Sequence, residues 1–208
     1  MSLITALRGR FDASQLDVLS EIVNIGVGRS AASLSELIGA RIELQAPEVR
    51  HCTTKDHQTW QTAVAHESST LIVQYFRGPV SGKAGLLFDE RSSLLLAQLL
   101  ANLDTPPDDL DIEMSGTLLE VGNIVLNAVL GSLSNQMRAE LSYSIPMIVA
   151  GRDIADDQEI LTDDGDTSDL LLADIEFGVA EHAIHGSIVI AFALGSVEEL
   201  LASVGELL

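Results

Sequence analysis

The chain is poor in most of what would tie it to a cofactor, a membrane or a nucleic acid. It holds one cysteine, Cys52, in 208 residues, which excludes an intrachain disulfide and fits a reducing cytoplasm. Bases are few, with 11 Lys and Arg against 31 Asp and Glu, for a net charge of −20. A surface this acidic repels phosphate backbones and anionic lipid, so neither nucleic acid nor membrane is an expected partner. The same excess suits plain solubility, a salty cytoplasm or the steering of a partner, and these three stay open. Aromatic residues make up only 4%. Long apolar runs are missing: Ile188–Leu194 is too short to span a bilayer as a helix, and the run within Met1–Arg8 is too short for a signal peptide. No nucleophile elbow occurs, and Gly82-Lys-Ala-Gly85 is too short for a phosphate-binding loop. What is abundant is Leu, Ile, Val and Ala. With 47% apolar residues, a sizeable core is available to one domain or two small fused halves.

Periodicity divides the chain into two similar series. Leu16, Leu19, Val23 and Val27 repeat at helical spacing within a helix expected over Phe11–Leu37, with Asp12 or Ser14 as cap and Gly39 as stop. Extended chain is expected over Arg41–Val49, which contains Pro47. Strands are expected at Thr59–Glu67, Leu71–Gly78 and Gly82–Asp89, and a leucine-rich helix at Ser92–Asn102. The acidic segment Asp104–Asp111, with Pro106 and Pro107, reads as a linker. The order then restarts: helix Ile112–Met137, extended Leu141–Ala150 with Pro146, strands Asp169–Gly178 and Ile184–Phe192, and a closing helix Ser196–Leu208. Leu19, Glu21, Asn24 and Ile25 return as Leu118, Glu120, Asn123 and Ile124, all displaced by 99; Ser33-Leu34-Ser35 and Pro47 also repeat at that displacement. Later, Gly82 and Phe88 return as Gly186 and Phe192, displaced by 104. Five extra residues are therefore expected in the second half, in the acidic loop Asp153–Asp169. The expected fold is α+β with a pseudo-two-fold internal repeat, in which a largely antiparallel sheet is covered by two long motif-bearing helices. It is one domain of two pseudo-repeats, 1–104 and 105–208, sharing one core.

At about 100° per residue, Asp17, Glu21, Asn24 and Gly28 fall on one narrow helix stripe, opposite Leu16, Leu19, Ile22 and Val23. The apolar side can face a sheet while the polar stripe faces out. Gly28 then leaves room beside the stripe for another protein's backbone, and Gly26 points to the core side as a close helix–helix contact. In the second helix Glu120 and Asn123 share a face, but Gly116 stands where Asp17 stood and Asn127 where Gly28 stood. A single Glu-x-x-Asn on a helix marks a solvated face. Its duplication, behind Asp17 and ahead of Ile25-Gly26, points to use.

Those residues carry a resemblance. Asp17-x-x-x-Glu21-x-x-Asn24 followed by Ile25-Gly26 and a small-residue-rich helix, with its Glu-x-x-Asn-Ile core repeated at Glu120, Asn123 and Ile124, resembles the CheC–CheX–FliY family of chemotaxis phosphatases, and CheC within it. The resemblance runs over nearly the whole chain. FliY-like chains carry a further flagellar-switch domain, not expected here after Leu208. The resemblance implies hydrolysis of the aspartyl phosphate of a CheY-type response regulator in two-component chemotaxis signalling. It gives Asn24 the attacking water to orient, Glu21 a lysine of the regulator to pair with, and Asp17 a supporting contact. Glu120 and Asn123 would form a second catalytic pair, active or kept only as scaffold or docking face. The chain would bring no cofactor of its own, since Mg²⁺ belongs to the regulator.

The residue types suit that chemistry. Phosphoryl transfer asks chiefly for positioning. A carboxamide can both accept from and donate to water without adding negative charge beside phosphate. The rival reading is a non-catalytic adaptor that binds a CheD-type receptor deamidase or a response regulator, with the helix Ser92–Asn102 as the candidate CheD surface through Leu94, Leu95, Leu96, Leu99 and Leu100. Core packing is the stronger reading of those leucines. A flagellar-switch component is a third reading. No metal site is expected: His51, Cys52 and His57 match no zinc spacing, and the acidic run from Asp156 to Asp169 lacks the glycine and final glutamate of an EF-hand loop. Glu181, His182 and His185 read as exposed turn or edge positions. A cytoplasmic monomer is expected, because the internal repeat already supplies a pseudo-dimer.

Overall fold

The computed structural model describes residues 13–52, 69–138, 140–150 and 170–193. The strand expected at Thr59–Glu67, the acidic loop 153–169 and the closing helix Ser196–Leu208 lie outside the described residues. In chain order the elements are α1 (Ala13–Ile38), β1 (Ile42–Leu44), β2 (Glu48–Cys52), β3 (Thr70–Arg77), β4 (Gly82–Phe88), α2 (Glu90–Ala101), α3 (Ile112–Met137), β5 (Ser142–Tyr143), β6 (Met147–Ala150), β7 (Leu170–Val179) and β8 (Ile184–Ala193).

Local chemistry sets the boundaries. Gly39 ends α1 at φ 71°, a conformation glycine adopts without strain, and its N–H bonds the Ser35 carbonyl at 2.9 Å. Asp89 and Asp111 cap α2 and α3 by accepting from the Ser92 and Met114 N–H groups at 2.6 and 2.9 Å. The extended segments around Pro47 and Pro146 each break into two short strands at those prolines, which have no N–H to give a ladder.

Among the described residues, eight strands form one wholly antiparallel sheet in the order β1-β7-β8-β4-β3-β5, with β2 also on β7 and β6 also on β3. The edge strands are therefore exchanged: those of each half pair with the other half's inner hairpin. Leu44 faces Phe177 as Tyr143 faces Phe76, and Glu48 faces Asp174 as Met147 faces Val73. With edge strands displaced by 99, β3 lies on β7 at a displacement of 101, and the two hairpin registers then set 104 for β4 on β8. The pseudo-two-fold passes between the register partners Gly85 and Val189. This corrects the expected site of the five extra residues. Two fall between β6 and β7, and three fall in the β7–β8 hairpin, which closes through the turn at Glu181, φ 66°.

The core repeats the symmetry. Phe76 meets Phe192 edge-on at 5.7 Å and 73°, and Phe88 meets Phe177 at 5.7 Å and 88°. The two-fold exchanges these pairs, each worth about 0.5–1.5 kcal/mol beyond its buried area. Helix α3 lies on β3 and β4; Gly122 sits against the Ile72 side chain, where any Cβ would collide. By length and composition α3 could cross a membrane, but Leu118, Val125, Leu126 and Leu130 are fully buried in the protein's own core. Helices α1 and α3 touch at Gly26, where a Cβ would stand 3.2 Å from the Val129 carbonyl oxygen.

Candidate functional site

The two motif helices place their polar residues as helical spacing requires. On α1, Ile22, Val23, Val27 and Leu34 are buried, and Ser30 closes that face with its hydroxyl on the Val27 carbonyl at 2.8 Å. Asp17, Glu21, Asn24 and Gly28 are exposed. Leu16 and Leu19 have side chains outside the described set. On α3, Leu118, Val121, Val125 and Leu126 are buried, while Gly116, Glu120 and Asn123 are exposed. Each Glu/Asn pair therefore stands on the outer surface of a helix whose inner face is fixed by packing, the rigid support an oriented side chain needs.

The stripes differ in what braces the amide. Beside Asn24 the chain offers Gly28, where an added Cβ would meet nothing within 4 Å. Beside Asn123 it offers Asn127, whose Nδ2 donates to the Asn123 Oδ1 at 2.8 Å. Asn127 in turn accepts at Oδ1 from the Nε2 of Gln74, at 3.1 Å, and Gln74 also donates to the Ser144 carbonyl at 2.8 Å. Gln74 is 1% exposed. Sequence reading noted Asn127 as a departure from the first motif and passed over Gln74. Its one signal was a lone amide inside the apolar strand Leu71–Phe76.

The stripes lie on open helix faces. Of the clefts lined by the described residues, one is formed by Glu43, Gln45, Phe88, Glu176 and His185, another by Arg91, Gln98, Asn102 and Glu181, and neither includes a motif residue. Among the described residues no group of His, Cys, Asp and Glu side chains could hold a metal ion; His57 and the acidic run 153–169 lie outside them. His182 and His185 are exposed, as expected. On α2, Leu96 is buried at 1% exposure, and Leu94, Leu95, Leu99 and Leu100 are half-buried, with Leu95, Leu99 and Leu100 packed against the core. This helix presents no exposed leucine, and Leu95, Leu96, Leu99 and Leu100 serve the core.

No protein-family model matches the chain. Among curated proteins it is 23% identical over 137 residues to the CheY-P phosphatase CheC of Bacillus subtilis (strain 168), an alignment covering 64% of this chain and 65% of that protein. The match thus spans just under two thirds of that relative's length. Among solved structures it resembles Thermotoga maritima FliY, with a TM-score of 0.75 at 18% identity over 94% of this chain and 98% of that one. The FliM middle domain from H. pylori superposes with a TM-score of 0.65 at 12% identity over 93% and 99% of the two chains. The CheX–CheY–BeF3–Mg complex from Borrelia burgdorferi gives a TM-score of 0.57 at 17% identity over 82% and 96%. At these identities the structural likenesses show the fold.

Proposed function

We propose that this CheC-like chain, supported as a member of the CheC–CheX–FliY family by its curated relative and its structural neighbours, is a protein aspartyl-phosphate phosphatase acting on a CheY-type response regulator. The observation that carries the reading is the pair of exposed Glu/Asn stripes on two stiff helices whose opposite faces are buried. Open helix faces suit a macromolecular substrate that brings its own labile bond. The acyl phosphate and its Mg²⁺ belong to the regulator. Asn24 enters beside the phosphoryl group and holds a water in line with the leaving oxygen; its Oδ1 accepts a hydrogen bond from the water while its N–H donates to a phosphoryl oxygen. A carboxylate there would repel those oxygens. Glu21 pairs with a lysine of the regulator, a charge-assisted contact strengthened as the interface excludes water, and Asp17 supports it from the preceding turn. Gly28 leaves the regulator's backbone room to approach. Glu120 and Asn123 form the second pair. The protein acts in the cytoplasm as a monomer.

Release of phosphate from the phosphorylated regulator tests this. Holding a water in place is a proximity effect, so Asn24→Ala combined with Asn123→Ala lowers kcat by at least about 100-fold with little change in regulator binding. Glu21→Ala weakens binding as well as turnover. Decay at the regulator's intrinsic rate in the presence of wild-type protein overturns the proposal. The FliM likeness favours a second reading, a non-catalytic chain that docks a regulator, a motor protein or a CheD-type deamidase. That reading predicts regulator binding without accelerated decay.

A further inference from the structure

One backbone carbonyl dictates the orientation of three side-chain amides in succession. The Ser144 carbonyl can only accept, so Gln74 must turn its NH2 toward it. It does so although its Oε1 is then buried without a partner among the described residues. The second N–H of Gln74 goes to Asn127 Oδ1. Asn127, accepting there, must turn its own NH2 the other way, and that group donates to Asn123 Oδ1. Asn123 is left with its oxygen held along the helix and its NH2 turned away from this brace. An amide on a surface ordinarily takes either of two flipped orientations; here the choice is fixed by a group that cannot flip.

The first motif lacks both intermediate members. Gly28 stands at the position of Asn127, and Ile175, at the displacement of 101, stands at that of Gln74. The backbone frame is shared, since the Ser144 N–H bonds the Tyr75 carbonyl as the Gln45 N–H bonds that of Glu176, each at 2.9 Å. The two substitutions belong together: a buried glutamine without the second amide would have one bond fewer, and the second amide without the glutamine would not be oriented.

We propose that Gln74 and Asn127 are positioning residues that lock the Asn123 carboxamide in one orientation, so that the second motif presents a preset amide where the first presents a free one. The chemical consequence rests on the phosphatase reading: the outward N–H meets a phosphoryl oxygen, and the remaining lone pair of Oδ1 accepts from the attacking water. Ordering a side chain before docking rather than during it is worth about two- to tenfold in rate.

The test uses side-chain amide relaxation by ¹⁵N NMR on the full chain, followed by kinetics. The Asn123 NH2 is expected to be as rigid as structured backbone, with an order parameter near about 0.8, and that of Asn24 to fall below about 0.6. Asn127→Ala should bring Asn123 down to the level of Asn24. In an Asn24→Ala background, Asn127→Ala should lower kcat for phosphate release about two- to tenfold, with KM unchanged and the thermal unfolding midpoint confirming an intact fold. Equal mobility of the two amides in the wild type overturns the proposal without any variant. So does an unchanged Asn123, or an unchanged kcat, in Asn127→Ala. A wild type with no phosphatase activity counts against the phosphatase reading alone, and the relaxation data then decide the lock.

Discussion

Asn24 and Asn123 are the same residue in the same motif, and their surroundings hold them differently. The first stands beside Gly28 and the second is gripped by Asn127. Gly28 lies in an exposed helix interior with open space at its Cβ position, so Gly28→Ala should stabilise the protein by about 0.5–1 kcal/mol in chemical denaturation. If a regulator's backbone closes on that spot, the same change weakens regulator binding in a titration. A gain in both stability and affinity would remove Gly28 from the interface. The outward stripe was legible in the sequence, because helical spacing alone puts Asp17, Glu21 and Asn24 on one side and Ile22 and Val23 on the other. Gln74 was not. Its meaning depends on β3 lying under α3, and that register is a tertiary fact which no local pattern in Leu71–Phe76 encodes.

At the scale of elements, the helices are held by small residues as much as by large ones. A side chain at Gly26 must displace the Val129 carbonyl, so Gly26→Val should cost about 1–3 kcal/mol by urea denaturation. The contrast with Gly28→Ala, two residues away, separates a packing glycine from a surface one. A cost at Gly26 no larger than at exposed helix sites would contradict the contact. On α2, Leu96→Ala should cost about 2–5 kcal/mol, since that side chain is fully buried. Helix α3 was legible to the residue at both ends, because Asp111 caps it and apolar periodicity runs without interruption to Met137. The edge strands were legible only as extended chain; their breaks at the prolines, and their partners, are set by the opposite half. The leucines of α2 admitted either core packing or docking on composition; that Leu95, Leu96, Leu99 and Leu100 serve the core depends on tertiary contacts.

For the molecule as a whole, edge-strand exchange makes the halves interdependent. β1 and β2 have their only described sheet partner, β7, in the second half, and β5 and β6 have theirs, β3, in the first. Fragments 1–104 and 105–208, expressed separately, should lack cooperative unfolding transitions by circular dichroism and regain one on mixing. An independent transition in either fragment would refute that dependence. The net charge of −20 acts at the same scale. Self-repulsion opposes compactness and is screened by salt, so the thermal midpoint should rise between about 0.05 and 0.5 M NaCl. The repeat itself was legible from the displacement of 99; how the five extra residues divide was not, because strand pairing decides it. Fusing two such halves into one polypeptide has a consequence of its own. Identical subunits must change together, whereas covalently tethered ones can drift apart while still completing each other's architecture, so one amide can be clasped while its counterpart stands beside a glycine.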